Sequence, residues 1–173
     1  MLGDPLNEKT TLGPLSSPMQ YRKVTALIQT GIDEGAKLIC GGPERPADID
    51  AGCYVPPTVF SQVSNDMTIA REEIFGPVLV AIKWKNEQDV IKMANDSHYG
   101  LAAYIWTKNL TKGINVANKV ESGWIQINQG LGQVPGHSYG GFKQSGLGKE
   151  FSLEGMLDSY TQKKNITINL SLP

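Results

Sequence analysis

The fold class is decided by residues 78–128, which read VLVAIKWKNEQDVIKMANDSHYGLAAYIWTKNLTKGINVANKVESGWIQIN. Apolar runs of strand length alternate here with amphipathic helical segments: strands at 78–84, 101–106 and 123–128, helices at 86–94 and 109–119. Short strand–helix–strand crossovers are typical of parallel sheets. We therefore predict an α/β fold with a parallel or mixed sheet and crossover helices. The first run is near-continuously apolar, as in a strand covered on both faces.

The preceding residues predict one longer helix and short strands. A helix start at Ser16-Ser17-Pro18 is followed by apolar residues at three- and four-residue spacing: Tyr21, Val24, Leu27, Ile28 and Ile32. Gly35 ends this helix, and strands follow at 37–40 and 58–60. Residues 67–73 fit a turn or two of helix.

The composition excludes several classes of protein. With 40% hydrophobic and 19% charged residues and a net charge of −1, the chain lacks the basic face of a nucleic-acid binder. Its longest apolar runs are far too short to cross a bilayer, and the start shows no secretory signal. Cys40 and Cys53 have neither CxxC spacing nor a histidine cluster beside them. We therefore expect no structural zinc and a reduced, cytoplasmic setting.

Residues 71–77, Arg-Glu-Glu-Ile-Phe-Gly-Pro, carry the most informative chemistry. The two oxygens of the Glu73 carboxylate match the vicinal hydroxyls of a ribose. Phe75, two residues along an extended chain, points the same way and could pack on a flat nicotinamide. Gly76 then permits a close main-chain approach. The alternative, which spacing alone favours, is a helix end with solvated acids and a buried phenylalanine.

The C-terminal part contains a glycine-rich loop at 130–148, a short predicted helix at 149–156 and a distinct tail. Apolar Ile166, Ile168 and Leu170 alternate with polar residues, which predicts an amphipathic strand. No neighbouring segment offers a hairpin partner, so this strand must cap a sheet edge or pair with another chain, and we favour pairing with another chain. We accordingly divide the chain into a catalytic-domain portion, 1–157, and an oligomerisation strand and tail, 158–173.

The tryptophans and histidines have simpler explanations. Trp84, Trp106 and Trp124 fall in predicted strands, so we expect them to pack in the core. His98 lies in a connection between a helix and a strand and is expected to be a surface or capping residue. His137 lies in the glycine-rich loop, where it is either a flexible loop residue or part of a binding surface.

Several uncommon strings occur together in one order: Gly3-Asp4-Pro5-Leu6, Gly13-Pro14-Leu15, Gly35-Ala36-Lys37-Leu38, Pro57-Thr58-Val59-Phe60, Glu72-Glu73-Ile74-Phe75-Gly76-Pro77, Ala94-Asn95-Asp96, Tyr99-Gly100-Leu101-Ala102 and Gly140-Gly141-Phe142-Lys143-Gln144-Ser145-Gly146-Leu147-Gly148-Lys149-Glu150. In this order they resemble the C-terminal part of the catalytic domain of NAD(P)-dependent aldehyde dehydrogenases, with betaine aldehyde dehydrogenase-like enzymes among the nearest. The resemblance implies that family's Rossmann-like fold and covers residues 3–168.

The resemblance implies a reaction and its partners. In the family a cysteine thiolate attacks an aldehyde to give a thiohemiacetal, hydride passes to NAD or NADP, and activated water releases a carboxylic acid. The cysteine, the glutamate base and the pyrophosphate-binding unit lie upstream of the part that Met1 resembles. We therefore expect a small aldehyde as substrate, the missing N-terminal part as partner, a homo-oligomer (dimer or tetramer), and an isolated chain that is inactive.

Site residues follow by resemblance. Glu73 matches the acid that holds the nicotinamide-side ribose, and Phe75 the aromatic beside the nicotinamide. The other matches are the substrate-funnel residues Asn128, Pro135 and His137, the backbone carbonyls of Lys143 and Gly146 for a monovalent cation such as potassium, and Glu150 in a charge relay. The family usually has arginine where this chain has Lys149. Cys40 and Cys53 match no catalytic position and are expected to be ordinary thiols.

Two alternatives remain open. The chain could be a catalytically inactive, stand-alone module that assembles through its C-terminal strand. Independent nucleotide binding through Glu73 and Phe75 is the weaker alternative, because one ribose contact without a pyrophosphate cradle gives little net affinity.

Overall fold

The structure is a computed structural model that describes residues 1–130, 132 and 134–171. It divides into two compact units, Met1–Asn86 and Glu87–Pro173, which are described separately below.

The first unit is a three-stranded mixed sheet with two helices. Its elements are α1 (Pro18–Asp33), β1 (Lys37–Cys40), β2 (Thr58–Ser61), α2 (Thr68–Arg71) and β3 (Val78–Val80). β2 is the central strand, antiparallel to β1 and parallel to β3. Helix α2 therefore lies in the crossover between two parallel strands, and the residues after it lead directly into β3.

Helix α1 begins and ends as its sequence predicts. The Ser17 side chain accepts a hydrogen bond from the Gln20 N–H (3.2 Å), and Pro18 occupies the first turn, where its missing N–H costs nothing. Gly35, just past the helix, has φ +88°, a left-handed conformation that glycine adopts without strain.

The core of the first unit forms where α1 covers the sheet. Its buried members are Val24, Ile28, Ala36, Val55, Phe60, Val63, Ile69 and Ile74. Val24, Ile28 and Phe60 are completely buried. A Cβ added to Gly31 would lie 2.7 Å from Ile69 Cδ1, so glycine at this position lets α1 and α2 pack closely. The apolar stripe predicted for residues 21–32 is thus the face that the sheet buries.

The second unit contains two small sheets and three helices within its described part. Its elements are α3 (Glu87–Asn95), β4 (Tyr99–Gly100), β5 (Ala102–Ile105), α4 (Leu110–Ala117), β6 (Trp124–Ile127), β7 (Phe142–Lys143) and α5 (Leu153–Tyr160). β5 and β6 are parallel and are joined through α4, whereas β4 and β7 are antiparallel. Asn109 caps α4 by accepting a hydrogen bond from the Lys112 N–H at 3.0 Å.

The α/β class with mixed sheets is confirmed, but burial differs from expectation. The strand predicted at 78–84 ends at Val80, and Leu79 is 58% exposed, so this strand is not covered on both faces. Trp124 is buried as predicted. Trp84 and Trp106, 57% and 70% exposed, lie just beyond the ends of β3 and β5, and the prediction that they are core residues is wrong for this chain.

The C-terminal segment also differs from its prediction. Helix α5 spans Leu153–Tyr160 and not 149–156, because the Ser152 side chain caps it by accepting from the Gly155 N–H at 3.1 Å. In the single chain, residues 161–169 form no strand and are exposed, and the pairing of this segment with another chain stays a prediction. An isolated strand has no ladder partner for its N–H and C=O groups.

Among the described residues, none of the helices combines the length and the apolar character that a bilayer crossing requires.

Candidate functional site

The 72–76 segment, which joins α2 to β3, presents its acidic and aromatic side chains outward. Glu73 and Phe75 are exposed, Phe75 to 72%, while Ile74 between them is 8% exposed and belongs to the core. The alternative of a buried phenylalanine at a helix end is therefore wrong. One buried side chain anchors the segment, and the two predicted cofactor residues remain accessible to a ligand.

Two features characterise the main chain of the 72–76 segment. Phe75 has φ +55°, the left-handed region in which non-glycine residues are uncommon. A Cβ on Gly76 would lie 2.8 Å from both methyl carbons of Val24, so only glycine allows the main chain this close to α1. Beside Gly76 and Pro77 lies an open cleft of about 380 Å³, whose other lining residues are Leu12, Gly13, Pro14, Leu15 and Val55.

The helix before this segment is held by a residue that sequence analysis missed. The carboxylate of Glu34, at the C-terminal end of α1, accepts hydrogen bonds from Thr68 N (2.8 Å) and Thr68 Oγ1 (2.6 Å). A carboxylate at a helix N-terminus satisfies free N–H groups and stabilises the helix dipole. Glu34 lies 34 residues before Thr68, so no local sequence pattern could indicate this cap.

Asn128, predicted to line a substrate funnel, follows β6 directly and bonds to the residues that follow β5. It has φ +56°, and its Oδ1 accepts a hydrogen bond from the Thr107 N–H at 2.8 Å. Together with Trp106, Thr107 and Lys108 it lines an open cavity of about 690 Å³. The Asn128 amide oxygen therefore forms a hydrogen bond within the protein, and the residue lines a space that a ligand could enter.

Pro135 and His137 lie in a turn that is tied to the residues before α5. The Gly136 N–H donates to the Phe151 carbonyl (2.9 Å), and the His137 ring lies 6.1 Å from Trp124, centre to centre. Leu131 and Gln133 of the same predicted funnel loop lie outside the described residues. The structure thus places His137 against the buried tryptophan.

Glu150, predicted to act in a charge relay, flanks a small aromatic cluster. Its main chain forms an antiparallel bridge with Tyr139, whose ring packs edge-on against Trp124 and Phe151 with centroid distances of 5.6 and 6.1 Å. The Glu150 side chain is exposed. Its relay role stays a prediction.

Two lysine ammonium groups, those of Lys143 and Lys149, donate to main-chain carbonyls of the second unit. Lys143 Nζ donates to the carbonyls of Asn95 (2.7 Å) and Ser97 (3.1 Å) and pairs with Glu121 at 2.7 Å. Lys149 Nζ donates to the carbonyls of Gly140 (2.9 Å) and Gly141 (3.1 Å). The role of the Lys143 and Gly146 carbonyls toward a potassium ion remains a prediction. Within residues 1–130, 132 and 134–171, no group of three His, Cys, Asp or Glu side chains could hold a metal.

Both cysteines are free thiols and lie in the first unit. Cys40 is exposed at the end of β1, and its Sγ donates a weak hydrogen bond to the Pro57 carbonyl at 3.8 Å. Cys53 is half-buried, and its carbonyl accepts from the Leu15 N–H at 2.8 Å.

The chain is similar in sequence to longer enzymes. It is 46% identical over 169 residues to retinaldehyde dehydrogenase 3 of Rattus norvegicus, which covers 98% of this chain and 32% of that protein. It thus spans about a third of the length of such curated relatives.

Solved structures match its fold. An NAD⁺ complex of aldehyde dehydrogenase from Bacillus cereus superposes with a TM-score of 0.92 at 42% identity, covering 99% of this chain and 34% of that one. Aldehyde dehydrogenase C from Pseudomonas syringae, in complex with NAD⁺ and octanal, matches with a TM-score of 0.85 at 43% identity, covering 89% and 32%. The model of the aldehyde dehydrogenase family matches residues 1–166. The chain therefore belongs to the aldehyde dehydrogenase family.

Proposed function

We propose that the chain supplies the nicotinamide-ribose contacts and part of the substrate channel of an enzyme that oxidises a small aldehyde to a carboxylic acid with NAD. The observation that carries this proposal is the outward display of Glu73 and Phe75 on either side of the buried Ile74. The NAD⁺ complexes among similar structures support NAD as the cofactor. The two free thiols fit a reduced, cytoplasmic setting.

The exposed groups of the 72–76 segment fit the chemistry of the cofactor. The Glu73 carboxylate can accept hydrogen bonds from both hydroxyls of one ribose, and the Phe75 ring can cover one face of the nicotinamide. When bound, NAD supplies the acceptor for the hydride of the aldehyde. The protein's part is to hold the ring in place and to keep water from one of its faces.

The second unit contributes the substrate side of this proposal. Asn128, Pro135 and His137 are its channel residues, and Glu150 is its relay carboxylate. In the complete enzyme the carbonyls of Lys143 and Gly146 bind a monovalent cation. The nucleophile and the general base come from the missing N-terminal part, and the 173-residue chain does not oxidise aldehydes alone.

Nicotinamide mononucleotide, one ribose with its nicotinamide, tests the role of Glu73. The wild-type chain should bind it weakly, with a dissociation constant on the order of millimolar, because the phosphate lacks its cradle. Glu73→Gln should weaken binding roughly tenfold, since hydrogen bonds to a charged acceptor contribute more than neutral ones. Line broadening of the nicotinamide protons measures both constants.

Glu72→Gln is the matched control, because Glu72 is the adjacent exposed glutamate. It should leave the dissociation constant unchanged. Equal binding by the wild-type and Glu73→Gln chains, or an equal loss in both variants, would contradict the assignment of the ribose contact to Glu73.

We propose assembly as a second function, because α5 and the tail expose a series of apolar side chains. Exposed side chains on α5 and the tail are Leu153 (70%), Met156 (53%), Leu157 (50%), Ile166 (73%), Ile168 (72%) and Leu170 (90%). Pairing of the tail with another chain would cover its apolar side and satisfy its free N–H and C=O groups. A homodimer or tetramer fits this surface, and a stand-alone assembly module remains the alternative to an enzyme part.

Removing residues 159–173 should therefore lower the oligomeric state measured by sedimentation velocity. The double variant Ile166→Lys/Ile168→Lys should have the same effect, because it charges the apolar side of the tail. Thr167→Lys, on the alternate side, is the matched control and should leave the mass unchanged. An unaltered mass after the deletion excludes the tail as an assembly strand.

A further inference from the structure

Three consecutive main-chain carbonyls of the 72–76 segment meet donors from α1. Gln20 Nε2 donates to the carbonyls of Ile74 (3.1 Å) and Phe75 (2.9 Å), and Lys23 Nζ donates to the carbonyl of Glu73 (2.8 Å). All three distances lie in the normal range for N–H···O bonds. Residues 20 and 23 are about one helical turn apart and therefore project from the same side of α1.

We infer that Gln20 and Lys23 are positioning residues that hold Glu73 and Phe75 in the orientation that binds the cofactor; this inference rests on the proposed function of that pair. Both residues act on the main chain: they donate to carbonyls of the segment that carries the Glu73 and Phe75 side chains.

The conformation of the segment explains why it needs such support. A non-glycine residue at φ +55°, as Phe75 is, persists only where the surrounding structure holds it. The carbonyls of residues 73–75 fall between α2 and β3, where no helix or sheet ladder supplies their donors. The two N–H groups of a single half-buried amide, that of Gln20, satisfy two of these carbonyls.

Helix α1 is a rigid support for these donors. The Ser17 side chain fixes the Gln20 N–H, and the neighbouring Val24 is completely buried and in contact with Gly76. Gln20 is half-buried, whereas Lys23 is exposed and its single bond competes with water. We therefore assign the larger share of the positioning to Gln20.

Gln20→Leu tests the inference, because leucine keeps the side-chain bulk and the helix propensity but has no donor. In the full chain, ¹⁵N order parameters of residues 73–76 should fall from about 0.85 to below about 0.6, the range of flexible backbone. Binding of nicotinamide mononucleotide should weaken by roughly tenfold, since two hydrogen bonds are lost. Lys23→Met should also lower these order parameters and weaken this binding, but by smaller amounts.

Gln29→Leu is the matched control on the same helix. The Gln29 amide donates to the exposed Asp33 carboxylate at 2.8 Å, away from residues 73–76, so this variant should leave both measurements unchanged. A loss of order confined to residues 73–76 separates positioning from general destabilisation. If Gln20→Leu does not fold, the same measurements are made on Lys23→Met, whose exposed position tolerates substitution.

The two proposals fail in different ways. If the wild-type chain shows no binding of the mononucleotide, the assigned ribose contact fails, while the order parameters still decide the positioning. If Gln20→Leu and Lys23→Met keep the wild-type order parameters at residues 73–76, the positioning inference is overturned whatever the affinity.

Discussion

Phe60→Ala should lower the free energy of unfolding of the chain by about 3–5 kcal/mol, the usual cost of emptying a buried aromatic site. Phe60 is completely buried on the central strand β2, among the residues that α1 packs against the sheet. Truncation removes its contacts with these neighbours and leaves a cavity that a close-packed core refills only partly. A domain is typically stable by about 5–15 kcal/mol, so this loss is a large fraction of the total.

Urea denaturation followed by far-ultraviolet circular dichroism measures this difference. Phe75→Ala is the matched control, because the same atoms are removed from a ring that is 72% exposed. Its free energy of unfolding should change by less than about 1 kcal/mol. Similar losses in the two variants would contradict the placement of the core between α1 and the sheet.

The second large effect is the absence of turnover. With NAD and octanal, the purified 173-residue chain should form reduced nicotinamide no faster than a solution without protein. Covalent catalysis requires an activated nucleophile, and enzymes that have one accelerate their reactions by about 10⁶-fold or more. The Cys40 thiol donates a hydrogen bond to the Pro57 carbonyl, and the Cys53 carbonyl accepts one from the Leu15 N–H.

Absorbance of the reduced nicotinamide measures this rate. Cys40→Ser and Cys53→Ser should match the wild-type background. Turnover that disappears in either variant would assign a catalytic thiol to this chain and overturn the proposal that the nucleophile lies upstream. The assay is independent of the Glu73 measurement, because binding of the mononucleotide requires no thiol.

Local patterns in the sequence predicted much of the fold. The cap at Ser17, the proline in the first turn and the left-handed Gly35 define α1, and each is a property of neighbouring residues. The run 78–128 indicated the α/β class, although its strands belong to separate sheets and β3 is shorter than its apolar run. Strand ends depend on ladder partners, which a single segment does not reveal.

The support of the candidate site depends on contacts between distant parts of the sequence. Glu34 caps a helix 34 residues away, and Gln20 bonds carbonyls 54 and 55 residues away. The spacing of Glu73 and Phe75 showed what the segment could bind, but not the left-handed Phe75 or the donors around it. The expected burial of Trp84 and Trp106 was wrong, because an apolar run in the sequence does not show which other segments pack against it.

The unequal burial of the three tryptophans determines what intrinsic fluorescence can report. Trp84 and Trp106 are largely exposed, so unfolding should change the surroundings of their indoles less than those of Trp124, which is 9% exposed and packs against Tyr139. The buried core of the first unit contains no tryptophan among its described members. A shift in emission wavelength on heating should therefore report chiefly the exposure of Trp124 in the second unit.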